Sequence, residues 1–148
     1  MHLSAIGLAA CLTFMTQGIA TAQDSAESNI AGHWTFTARL QINCTFAGTA
    51  RFERQSNRTY IGELVATQSC PDLEQDFVVR QDCQVSQSGN QVSVRCQIAE
   101  FINGFGSDYY YPDNFALTLA SKDRMHGALL STGEAKPAEW VRAEGAIS

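Results

Sequence analysis

"CQVSQSGNQVSVRC", Cys83–Cys96, sets two cysteines at equal distances from a Gly-Asn pair. Gly89-Asn90 suits a two-residue hairpin turn with positive φ. With that pair as the turn, Ser88 faces Gln91, Ser86 faces Ser93, Val85 faces Val94 and Cys83 faces Cys96. Side chains alternate along a strand, so the valines and cysteines share one face. Directly opposed cysteines have their Cβ atoms within reach of a bond. The stretch predicts a stapled β-hairpin.

The same arithmetic works one hairpin upstream. "CTFAGTARFERQ" and "TYIGELVATQSC" flank Ser56-Asn57-Arg58. A connection centred on Asn57 sets Phe52 opposite Gly62, Ala50 opposite Leu64 and Cys44 opposite Cys70. Two disulfides, Cys44–Cys70 and Cys83–Cys96, are therefore expected, each worth about 3 kcal/mol in the chain-entropy account. None of the spacings makes a C-x-x-C pair, which leaves zinc and thioredoxin-like chemistry without support.

Paired cysteines need an oxidising compartment, and the amino terminus supplies a route to one. Residues 1–22 are apolar from Leu3 to Met15 and end in Ala20-Thr21-Ala22, the small-x-small pattern of a signal-peptide cleavage site. The apolar run is shorter than the roughly 20 residues a transmembrane helix requires. "LAAC", Leu8–Cys11, resembles the lipobox of bacterial lipoproteins. The apolar run continues past Cys11 and no cation precedes it, so lipid anchoring is the less favoured route. The expectation is an exported protein, periplasmic or secreted, with a flexible leader over 23–31 and one domain over 32–145.

From Gly32 onward the chain reads as successive strands. "HWTFTARLQI" puts Trp34, Phe36, Ala38, Leu40 and Ile42 on one face. Further strands are expected near 45–54, 59–68, 77–87, 91–102, 114–121, 125–132 and 138–143, joined mostly by hairpin-length turns. Eight short antiparallel strands in sequence order predict an all-β, up-and-down barrel, because closure removes exposed strand edges. A two-sheet sandwich would need longer crossovers. The 148 residues carry a formal charge of -5 with no basic run, which argues against a nucleic-acid partner.

The head of the first strand, Gly32-His33-Trp34, resembles the G-x-W that opens lipocalins and related calycin barrels. That resemblance implies a lipocalin-like fold in which a basic residue of the last strand packs over the tryptophan. Arg142 in "EWVRA" is the matching position. Ala31-Gly32-His33-Trp34 is also similar to the A-G-x-W that opens bacterial barrel-type protease inhibitors.

No catalytic constellation stands out. The expected inward positions, among them Phe46, Phe52, Leu64, Val79, Val85, Val94, Ile98, Leu117, Leu119 and Leu129, are apolar. His33 and His126 fall on outward faces without a second ligand at metal spacing. No G-x-S-x-G, phosphate loop or H-E-x-x-H occurs. No cofactor and no metal site are expected, and an enzyme is the third choice. "FINGFGSDYYYPDNF", Phe101–Phe115, stands out instead as an aromatic connection longer than a hairpin loop. It either plugs one barrel end or presents Phe101, Phe105, Tyr109, Tyr110 and Tyr111 to a ligand or partner. Small inward residues (Ala38, Gly48, Ala50, Gly62, Ala66, Gly127) either receive large neighbours or line a pocket. The first expectation is binding of a small apolar or amphipathic ligand, and the alternative is a protein-interaction module such as a protease inhibitor.

Overall fold

The computed structural model describes residues 28–40, 43–104, 110–131 and 133–143. Eight strands follow one another: β1 (Gly32–Arg39), β2 (Thr45–Arg54), β3 (Thr59–Ser69), β4 (Phe77–Ser88), β5 (Gln91–Asn103), β6 (Phe115–Ser121), β7 (Arg124–Leu129) and β8 (Lys136–Arg142). Each pairs antiparallel with the next, and β1 pairs with β8 to close a barrel. No helix of the described residues is long and apolar enough to cross a membrane.

Both stapled hairpins form in the expected register. Cys83 pairs with Cys96 around the Gly89-Asn90 turn, and Phe52 pairs with Gly62 in β2–β3. The disulfides are Cys44–Cys70 and Cys83–Cys96. Only Gly89 of the turn pair takes positive φ, +59°. A glycine-first turn of this kind matches the right-handed twist of its strands.

The lumen is filled through its middle. Phe36 stacks on Trp140 at 4.8 Å, Phe115 meets Trp140 edge-on at 5.0 Å, and Phe52 lies 5.7 Å from Trp140. Two of the small inward residues, Gly48 and Gly62, receive these rings, whereas Gly127 lies against the backbone of Ala116 and Leu117. A Cβ on Gly48 would meet the Phe36 ring and the Val65 carbonyl, and one on Gly62 would meet Phe52 at 2.8 Å. Interdigitation, rather than a central void, explains those two glycines.

One end is closed by short turns and by the chain preceding β1. Ile30 is fully buried, and its carbonyl accepts the Trp34 indole N–H at 2.9 Å. Gln87, inward on β4, donates to the Ser28 carbonyl at 2.9 Å and accepts from the Tyr60 hydroxyl at 3.1 Å. Residues 28–31 thus depart from the solvated leader expected over 23–31. An apolar side chain beside an open lumen gains more by entering it than by staying in water.

The opposite end carries the longer connections. There β1 stops at Arg39 instead of Ile42, since Asn43 takes a left-handed φ of 70° and turns the chain back to Cys44. β7 stops at Leu129, and Leu130 is exposed. Register shifts between Val78/Val79 and Arg80/Gln81 bend β4–β5, which breaks strict alternation locally. β6 pairs with β5 over Gln91–Val94 alone, so Ile98, expected inward, is only half-buried. Segment 1–22 with Cys11, and also Ile42, lie outside the described residues.

Candidate functional site

Register continued past the strand ends assembles the open mouth. Ala38 pairs with Phe46 and with Ala138, so Leu40, two residues on, keeps the inward parity. Leu129 pairs with Lys136, itself two residues before the buried Ala138. On β3 the inward set Tyr60, Leu64 and Ala66 continues to Gln68. Leu40, Gln68, Leu129 and Lys136, with the Cys44–Cys70 disulfide, Ser131 and Glu134, line a cleft of about 250 Å³ at this end. The walls are aliphatic and sulfur, and the rim is polar.

The remaining half of the mouth, over β4–β6, is occupied by the end of the aromatic connection. Gly104, at φ +86°, starts it and lies so close to the Phe77 ring that a Cβ there would strike it. Tyr110 packs on Phe77 at 5.8 Å and edge-on to Phe101 at 5.9 Å. Its hydroxyl donates to the Asp113 carboxylate at 2.8 Å. Asp113 is buried, and Gln81, inward on β4, donates to the same carboxylate oxygen. The Asp113 N–H donates back to Gln81 Oε1 at 2.9 Å. Asn114 completes the seam, its Oδ1 accepting the Cys96 N–H at 2.9 Å where β6 no longer pairs with β5.

Burial pushes the Asp113 carboxyl up to about 6, against the opposing pull of the hydrogen bonds from Tyr110 and Gln81. Burial, and then the Asp113 charge, raise the Tyr110 hydroxyl far above its ordinary range. Tyr110 is therefore a neutral donor holding the connection down.

The aromatic residues singled out in the sequence have separate environments. Phe101 and Tyr110 pack against each other, Tyr111 is 54% exposed, and Phe105 and Tyr109 lie outside the described residues. None of the five lines the described cleft. Trp34 and Arg142 meet at the closed end, with the guanidinium over the indole. His33 and His126 are exposed, and among the described residues no group of three His, Cys, Asp or Glu is placed to hold a metal ion.

Other hollows, of about 270, 450 and 540 Å³, lie on the outer wall around Ile61. They are broader than the mouth, yet their linings carry solvated polar and charged side chains, among them the Arg51–Glu53 pair with Glu63 and Asp82 in the first and Gln84 with Arg95 in the other two. Such exposed pairs contribute little and give an apolar molecule no enclosure. The mouth combines inward-facing walls with polar groups at the edge, and it is the candidate site.

Sequence reasoning passed over Gln81, Gln87, Leu129 as a mouth residue, Gln68 and Lys136. Parity alone would have found Gln81 and Gln87, since "FVVRQDCQVSQS" places them on the same face as Val79 and Val85.

Among solved structures the chain is similar to a de novo designed fluorescence-activating β-barrel, with a TM-score of 0.57 and 15% identity over 82% of this chain and 98% of that one. A redesigned β-barrel matches with a TM-score of 0.58 and 16% identity over 81% of this chain and 96% of the other. At such identity the likeness establishes the barrel fold alone. No protein-family model and no curated protein sequence matches the chain.

Proposed function

We propose that this chain is an exported, calycin-like barrel that binds one small amphipathic molecule in the mouth lined by Leu40, Gln68, Leu129 and Lys136. The observation that carries the reading is the arrangement of that mouth. Inward-facing aliphatic side chains continue beyond the filled aromatic layer into a cleft of about 250 Å³ whose polar groups sit at the rim. Concave apolar walls with a few convergent polar groups are the usual form of a small-molecule site. The volume favours a ligand of modest size.

Export is supported by the signal-like segment 1–22 and by two disulfides, which persist in periplasmic or extracellular surroundings. The calycin likeness is supported by Trp34 under Arg142. Among the aromatic residues Phe101, Phe105, Tyr109, Tyr110 and Tyr111, the reading assigns to Phe101 and Tyr110 the packing of the other half of the mouth and gives the exposed Tyr111 no part in holding the small molecule.

Native mass spectrometry of the gently purified protein tests this. A reproducible non-covalent adduct is expected, and Leu40→Trp, which fills the mouth, should abolish it. An adduct that survives Leu40→Trp, or no adduct at all, overturns the assignment.

A second reading, a protein-interaction module such as a protease inhibitor, is favoured by the exposure of Ile102 (55%) and Tyr111 (54%) at this same end. Ile102→Ser with Tyr111→Ser should then abolish inhibition of a co-secreted protease while leaving any small-molecule adduct intact.

A further inference from the structure

We propose that Lys136 is the anchor for an anionic head group, so that the molecule taken by the mouth is a small amphipathic carboxylate. This rests on the ligand-binding reading above and narrows it to one chemical class.

The chain has two lysines, and they differ in surroundings. Lys122, in the turn at the closed end, is 81% exposed, as a solvated lysine should be. The Lys136 side chain is 26% exposed. Its inward parity at the start of β8 lays the methylene stem along the wall shared with Leu129 and Leu40. A lysine stem covering apolar surface with its ammonium at the water boundary is a common compromise. Here it brings one cation to the edge of an aliphatic cleft.

The present partner of that cation is replaceable. Lys136 Nζ lies 2.6 Å from Glu134 Oε2, and Glu134 is 77% exposed on the β7–β8 connection. An ion pair with so solvated a carboxylate is worth little, and Glu134 recovers its rotamer freedom on release. A ligand carboxylate held by its apolar tail is pre-positioned and competes well for the ammonium.

A second donor converges on the same place. Gln68 Nε2 lies 3.7 Å from Cys70 Sγ, a weak acceptor, so its amide hydrogens can serve a carboxylate oxygen. Ser131 adds a hydroxyl to the lining. Against an anion stands Glu134 alone among the residues lining the cleft, and its carboxylate has solvent to turn into.

Titration calorimetry with octanoate, octanol and octylammonium, matched in tail and differing in head group, tests the assignment. Octanoate should bind about tenfold more tightly than octanol. Lys136→Met should erase that preference by weakening octanoate far more than octanol. Glu134→Gln, which removes the competitor, should strengthen octanoate binding. A merely structural lysine would produce neither effect, and the thermal midpoints of the variants report on folding. Equal binding of octanoate and octanol, or preference for octylammonium, overturns the carboxylate assignment and leaves the broader reading standing. Failure of all three probes on folded protein overturns both.

Discussion

Arg142 lies over Trp34, its guanidinium carbon 4.4 Å from the indole ring centre, and the two residues are direct partners across the β1–β8 seam. The same guanidinium donates to the carbonyls of Ala31 at 2.7 Å, Asn29 at 3.0 Å and Lys122 at 3.0 Å. One side chain thus joins three pieces of backbone at the place where the first and last strands meet. It also fixes the chain segment that covers the closed end.

Arg142→Ala should therefore cost about 2–3 kcal/mol, from a lost cation–π contact and from hydrogen bonds to a charged donor. Arg142→Lys should recover only part of this, because an ammonium cannot reproduce the planar fork that reaches separate carbonyls. Urea unfolding followed by tryptophan fluorescence measures both. An unchanged midpoint for Arg142→Ala would remove the seam from the account of stability.

Asp113 gives the fold a pH dependence of known sign. Its folded value of about 6 lies above the ordinary 3.8, so the folded chain holds the proton more tightly than the unfolded one. The stabilisation is full below about pH 4 and is lost as pH rises through about 6. Stability should rise from about pH 7.5 to about pH 5 by roughly 1.4 kcal/mol, about half of what the full shift supplies below pH 4. Asp123 and Glu134, held down by hydrogen bonds from Lys122 and Lys136, act in the opposite direction and fade at more acidic pH, outside that window. Asp113→Asn should flatten the profile, and urea midpoints at the two pH values decide the matter. A wild-type profile already flat across that range would contradict the buried carboxyl.

The hairpin arithmetic transferred almost without loss because a turn and two cysteines constrain register at both ends of a strand pair. Cys83 against Cys96 and Cys44 against Cys70 leave no room for a slip that would turn Val85 or Ala50 to solvent. The mouth was less legible for two physical reasons. Where strands end, alternation no longer signals burial: Leu40 lies beyond β1, and Lys136 reads as a surface residue until its partner Leu129 is known. Polar residues also enter the lumen when a partner reaches them from far along the chain. Gln81 meets Asp113 and Gln87 meets Ser28, and neither pairing leaves a local pattern. Ile98 failed in the opposite direction, since its periodicity is intact but β6 stops short of covering it.

Gly48 and Gly62 offer a test of the filled lumen. Alanine in place of glycine within a strand ordinarily stabilises by roughly 0.5–1 kcal/mol. Gly48→Ala should instead destabilise by about 1–3 kcal/mol, because its Cβ meets the Val65 carbonyl as well as the Phe36 ring. Gly62→Ala should be milder, since the obstructing Phe52 ring at 2.8 Å can shift. Denaturant midpoints of the two variants check the order. Stabilisation by Gly48→Ala would mean that the lumen has spare room at this level.

The two disulfides separate the stability of the barrel from the shape of its mouth. The Cys44–Cys70 bond spans 26 residues and the Cys83–Cys96 bond spans 13, so their loss should cost about 3.5 and about 3 kcal/mol respectively. Only the first lines the mouth cleft; the second is buried in the β4–β5 wall, with Cys83 and Cys96 4% and 5% exposed. Replacing Cys44 and Cys70 together by alanine should therefore weaken octanol binding, because the β2 and β3 ends that form one side of the cleft come apart. The matching replacement of Cys83 and Cys96 should lower the denaturant midpoint by a similar amount and leave octanol binding unchanged, provided both variants keep the far-ultraviolet spectrum of the barrel. Equal loss of binding in the two variants would show that affinity follows global stability, and the mouth would lose its claim to be the site.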